Sequence, residues 1–138
     1  MAEELIILPA LVLGLAIGLL ELFFIHADEN FKGSHWMGHG IQAAGWAIAA
    51  VFATMNVEYV LVLLNLGSAP IISNPLYLQI VIGLITVIKT WSVSAVVGGA
   101  KGKGMHEKLW HILVIGALVV AAPYIYSAIE PLFPAFLK

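Results

Sequence analysis

The sequence predicts an all-α fold: an integral membrane four-helix bundle with four transmembrane helices and both termini on the same side. Three observations lead there. Hydrophobic residues make up 62% of the 138-residue chain and charged residues only 10%, whereas about a quarter of a soluble domain is charged. That is too few charges to coat a water-facing surface, and a bilayer removes the need. Four apolar stretches each approach the length that crosses about 30 Å of hydrocarbon at 1.5 Å per residue. Between them lie connectors rich in glycine, proline or charge, where helices stop.

The first span covers residues 5–25, with Glu21 its only charge. Pro9 falls in the first turns, where a missing N–H costs little. Glu3 and Glu4 have the wrong sign for a secretory leader, so the segment is expected to stay as a span. Gly14 and Gly18 form a GxxxG pair, which allows a second helix to come close, although any helix rich in small residues shows such spacings.

Residues 26–36 form a polar loop. The second span, 37–56, is crowded with glycine and alanine and is expected at the bundle centre. Asn56 and Glu58 interrupt it before an apolar run to Leu66. Ten residues cannot cross a bilayer alone, so the reading is a long, continuous or slightly kinked helix extending to 66, with an interfacial segment as the alternative. Residues 68–75 make a turn bounded by Pro70 and Pro75. The third span is 76–98 and contains Lys89. The loop 99–108 holds lysines among glycines, but without the GxxxxGK[ST] pattern or a preceding strand it is no phosphate cradle. The fourth span, 107–129, carries Pro123 as an expected kink site and ends before Pro131 and Pro134.

The absence of cysteine removes disulfides, thiolate metal sites and thiol catalysis. There is no arginine, and a net charge of −2 offers no nucleic-acid footprint. The loops 26–36 and 99–108 together carry Lys32, Lys101, Lys103 and Lys108, against Lys138 at the other side. Lysine-rich short loops stay cytoplasmic, so both termini are expected outside a cell membrane.

Two sets of residues carry chemistry. His26, Asp28, His35 and His39 gather around the first loop, and His35 and His39 share a helix face at i, i+4. Imidazole with carboxylate suits a zinc or copper ion. Interfacial histidines that only cap helices are the competing reading, and HEXXH is absent. Second, Glu21 and Lys89 lie inside spans, where a charge costs roughly 2.5–3.5 kcal/mol. Lys89 stands about 14 Å from the end of its span, and side chains lean toward a helix N-terminus. Both facts draw it toward Glu21, so the expectation is a buried ion pair, direct or through water. It serves either to fix helix register or to line a proton or ion path.

The function expected from these features is that of a non-catalytic accessory subunit of a larger membrane complex, of respiratory or metal-dependent oxidoreductase type, surrounded by lipid and by other subunits or copies of itself. The alternative is a homo-oligomeric transporter or channel for protons or metal ions built on Glu21, Lys89 and the histidine-rich face. Short loops leave little room for a substrate pocket, so an enzyme acting alone is the least favoured class.

Overall fold

Asn56 ties the architecture together at one end. In the computed structural model, which describes residues 5–27, 36–69, 71–94 and 107–134 (side chains at 36–39 and 93–94 excepted), five α-helices follow one another. They are α1 (Leu8–Ala27), α2 (Trp36–Met55), α3 (Val57–Leu63), α4 (Pro75–Ser94) and α5 (Leu109–Ile129), the last followed by a 3₁₀ turn at Glu130–Leu132. No strand occurs among the described residues.

Hydrogen bonds between helix ends give the topology. The Ile6 N–H donates to Asn56 Oδ1 at 2.7 Å, and Asn56 Nδ2 donates to the Ile6 carbonyl at 3.1 Å, joining the start of α1 to the end of α2. Gln79 Nε2, early in α4, donates to the Thr54 carbonyl at 3.3 Å. The Tyr124 hydroxyl, late in α5, donates to Gln79 Oε1 at 3.1 Å. The entry to α1, the exit of α2, the entry to α4 and the exit of α5 therefore share one end, the termini end. The four long helices alternate in direction as an up-and-down bundle. The opposite, loop end is marked by Phe24 of α1 stacked on His111 of α5.

Local sequence explains where the elements stop. Asn74 caps α4: its Oδ1 accepts the Leu76 N–H at 3.0 Å, with Pro75 in the first helical position. At the end of α3, Asn65 takes a left-handed conformation (φ 54°), and the Leu66 N–H reaches back to the Leu61 carbonyl at 2.8 Å. That is a Schellman closure, with asparagine where glycine is usual. Helix α5 runs through Pro123 without interruption.

The expectation of a continuous or slightly kinked second helix is corrected here: α2 and α3 meet at 90°. Asn56 has non-helical dihedrals (φ −119°, ψ 42°), and its amide bonds Ile6 and the Phe52 carbonyl instead of facing lipid. The joint is held by a polar side chain that bonds the Ile6 backbone ahead of α1 and adds a second donor at the Phe52 carbonyl, which already accepts the Asn56 N–H. Helices α1, α4 and α5 (with its extension to Leu132) are each long and apolar enough to cross a membrane, and α2 with α3 adds a fourth crossing if the bent pair is one span. The outer surfaces carry Leu19, Phe23, Leu84 and Ile88, which lipid solvates without cost.

Glycines set the interhelical distances. A Cβ at Gly14 would lie 2.6 Å from Ile48 Cα, and one at Gly18 would lie 2.6 Å from Ala44 Cα. A Cβ at Gly40 would meet the Leu22 side chain. These three contacts define one antiparallel register along α1 and α2. In α4 and α5 the approach is reciprocal: a Cβ at Gly83 would stand 3.1 Å from the Gly116 carbonyl oxygen, and one at Gly116 would stand 3.2 Å from that of Gly83. Gly45, by contrast, faces open space.

That contrast gives a test. Gly14→Ala should lower stability in detergent by about 1–3 kcal/mol, because the obstructing atom is Ile48 backbone. Gly45→Ala should raise it by up to about 1 kcal/mol through helix propensity. Reversible unfolding of the two variants beside the parent reads both signs.

Candidate functional site

Seven polar or charged residues are buried among the described positions: Glu21, Thr54, Asn56, Gln79, Thr86, Glu107 and His111. They divide by position along the bundle. At the termini end Thr54, Asn56 and Gln79 are hydrogen-bonded, the Thr54 hydroxyl donating to the Val51 carbonyl at 3.0 Å. A pocket of about 190 Å³ opens beside the α2–α3 elbow, with Glu58 its one charged lining residue. Satisfied amides and hydroxyls of this kind brace a structure. Between this layer and the loop half lies an apolar section built from Ala10, Ile17, Ala47, Ala50, Val51, Ile115, Val119 and Ala122.

The loop half differs. Glu21 lies three residues beyond Gly18 on the face that packs into the bundle, and it is 1% exposed. Neither of its carboxylate oxygens has a hydrogen-bond partner among the described residues. Lys89 enters from α4, half-buried, with Nζ 5.0 Å from the centroid of the Trp46 ring, within cation–π range. Trp46 is held by its own N–H, which donates to Thr86 Oγ1 at 3.2 Å, and the Thr86 hydroxyl donates to the Ile82 carbonyl at 2.9 Å. Residues 82, 86 and 89 share one face of α4 by helical spacing. Glu21 and Lys89 act on each other electrostatically, while the ion contacts within 4.0 Å among the described residues do not include this pair.

Nearer the loop end, Glu107 and His111 are 2% and 4% exposed, with His111 Nδ1 4.0 Å from Glu107 Oε1. The imidazole stacks flat on Phe24 (4.2 Å between centroids, 3° between planes) and meets the edge of Trp110 at 3.9 Å.

Of the residues singled out from sequence, Glu21 and Lys89 thus stand in one half of the interior. His26 is exposed at the end of α1. Asp28 and His35 lie outside the described residues, as does the side chain of His39, and no group of three metal-binding side chains occurs among those described. Sequence reading passed over two participants, Trp46 and Thr86, and placed Glu107 and His111 in the polar cap of the loop end without reading them as a pair. Trp46 sits in an alanine-rich helix with nothing to mark it. Thr86 shows only as a threonine four residues from Ile82. The Glu107–His111 pair was visible as an i, i+4 spacing. Comparison with protein families, with characterised proteins and with solved structures finds no match for this chain.

The unpartnered carboxyl makes a prediction about stability. Glu21→Met keeps the unbranched side-chain length, with a somewhat larger volume, and removes a buried polar group without a hydrogen-bond donor among the described residues. It should raise unfolding free energy in detergent by about 1–3 kcal/mol. A loss of that size would mean that Lys89 depends on Glu21 as a direct ion-pair partner.

Proposed function

We propose that this protein is a non-enzymatic subunit of a membrane assembly that handles protons within the bilayer, with Glu21 as the group that takes up and releases the proton. The observation carrying this reading is the Glu21 carboxyl, 1% exposed and with no hydrogen-bond donor among the described residues. A carboxylate in such a place needs a proton, a water or a cation beside it. Lys89 stands close enough to act on it electrostatically and is parked on Trp46. When Glu21 gives up its proton, the ammonium is positioned to move in, directly or through a water, as the second half of a buried ion pair.

The apolar section between Thr86 and Thr54 favours a subunit over a self-contained pore, since it interrupts any polar route through one copy. A second reading, the homo-oligomeric proton or ion transporter, draws support from α2. That helix turns Gln42, Gly45 and Ala49 outward, a small and partly polar stripe of the sort through which membrane helices associate. Loops 26–36 and 99–108, which together carry Lys32, Lys101, Lys103 and Lys108, are assigned to the cytoplasmic side of a cell membrane, with the termini outside.

Infrared difference spectroscopy of the protein in lipid nanodiscs, titrated with acid, tests the central claim. The carbonyl band of a neutral carboxylic acid should appear in the parent and vanish in Glu21→Gln. No Glu21-dependent band anywhere in the titration rejects the proposal. Reconstituted alone in liposomes, the protein should carry no proton current, and larger partners should accompany it from native membranes. Current abolished by Glu21→Gln in the isolated protein selects the homo-oligomeric reading.

A further inference from the structure

The interior on the two sides of Glu21 differs in kind, and the difference gives the site a direction. Helix α1 ends at Ala27, about 9 Å beyond Glu21, and begins at Leu8, about 20 Å before it. The long side is apolar on every helix. On α1 no polar side chain occurs between Leu8 and Leu20, and on α5 none occurs between Ile112 and Pro123. On α4 the next buried polar residue toward the termini is Gln79, about 10 Å from Thr86, and on α2 Thr54 stands about 12 Å beyond Trp46. Ile17, Val51, Ile115 and Val119 fill the section between, and the backbone approaches at Gly14 and Gly83 close it.

A proton passes between groups a hydrogen bond apart or joined by one water, so 10 Å calls for several waters in file. Buried water keeps its place where polar groups surround it, and the described side chains of this section supply none. The short side is polar. Lys89 is half-buried with Nζ over Trp46, and Gln42, one turn from Trp46 toward the loops, is exposed. The titratable groups described in this half are Lys89 on α4, His26 at the end of α1, and Glu107, Lys108 and His111 where the chain enters α5. The described side chains of α2, positions 40–55, include no charged group.

Building on the proton-handling reading of Glu21, we propose that this carboxyl exchanges its proton with the loop side of the membrane alone. The site then senses acidity on that side instead of passing protons across. In the exchange the carboxyl O–H bond breaks and the proton goes to water at the loop end. The charge left on the carboxylate is balanced by the Lys89 ammonium, and the pair passes from net positive to neutral. A site closed toward the termini conducts nothing by itself, so its state has to be read through contact with another subunit.

The test uses the full chain in sealed proteoliposomes, with the outside pH stepped while the inside buffer is held. The chain has no cysteine, so Ser68→Cys, in the exposed turn between α3 and α4, gives a single label at the termini end. A membrane-impermeant maleimide then counts the copies whose termini face outward, in two preparations of different orientation ratio. Infrared difference spectra follow the neutral carboxyl band that is missing in Glu21→Gln. The part of this band that answers the outside step at once should equal the fraction of copies with loops outward. The remainder should answer only after a protonophore is added. A band that follows the fraction with termini outward, or that changes in every copy at once, overturns one-sided exchange and leaves the proton-handling reading standing. Absence of any Glu21-dependent band overturns both.

Discussion

Everything in this bundle depends on how closely α1 can approach α2. Lipid is as apolar as leucine, so helices in a membrane gain little from hiding hydrophobic side chains from it. They associate through van der Waals contact and interhelical hydrogen bonds. With Gly14 and Gly18 set against the Ile48 and Ala44 backbones, the seam is as tight as main chains permit. Its consequence reaches the chemistry. Glu21 follows Gly18 by three residues and shares its inward face, so the contact that holds the bundle together also drives a carboxyl into the interior. The reciprocal Gly83–Gly116 crossing does the same on the other side. Three and six residues beyond Gly83 come Thr86 and Lys89, and one turn before Gly116 the fully buried Ile112 follows His111.

The two ends of the bundle deal with buried polarity in different ways. At the termini end the buried amides and the Thr54 hydroxyl bond backbone groups. Asn56 bonds Ile6 and Phe52, and Gln79 reaches the Thr54 carbonyl that the end of α2 leaves exposed. Nothing titrates in that network at ordinary pH, and removing any member would leave an orphan. In the loop half the buried groups are acids, an amine and an imidazole, species that change charge.

Much of this architecture was legible in the sequence, for identifiable reasons. Span length follows from bilayer thickness, so the four apolar stretches and the positions of Glu21 and Lys89 within them could be read directly. The Gly14–Gly18 spacing announced a close contact but not its partner. Gly83 and Gly116 announced nothing, since each is a lone glycine in its own helix and acquires meaning only when the two meet. Asn56 was read as an interruption of a long helix. Sequence has no means of showing that an asparagine will bond a backbone 50 residues away and turn the chain through 90°. Trp46 likewise matters through Thr86 and Lys89, contacts that tertiary packing alone creates.

Magnitudes indicate how the loop half is poised. A lysine near the middle of a membrane costs roughly 2.5–3.5 kcal/mol on insertion scales. Its place over the Trp46 ring returns about 0.5–2 kcal/mol, so Trp46 alone does not compensate it. Glu21 carries a comparable burden with no hydrogen-bond donor among the described residues. Each group would be relieved by the other, yet the structure keeps them apart, the ammonium on the indole and the carboxyl in the seam. On the proposed reading, a proton held on Glu21 leaves Lys89 on the Trp46 ring, and loss of that proton would draw the ammonium toward the carboxylate.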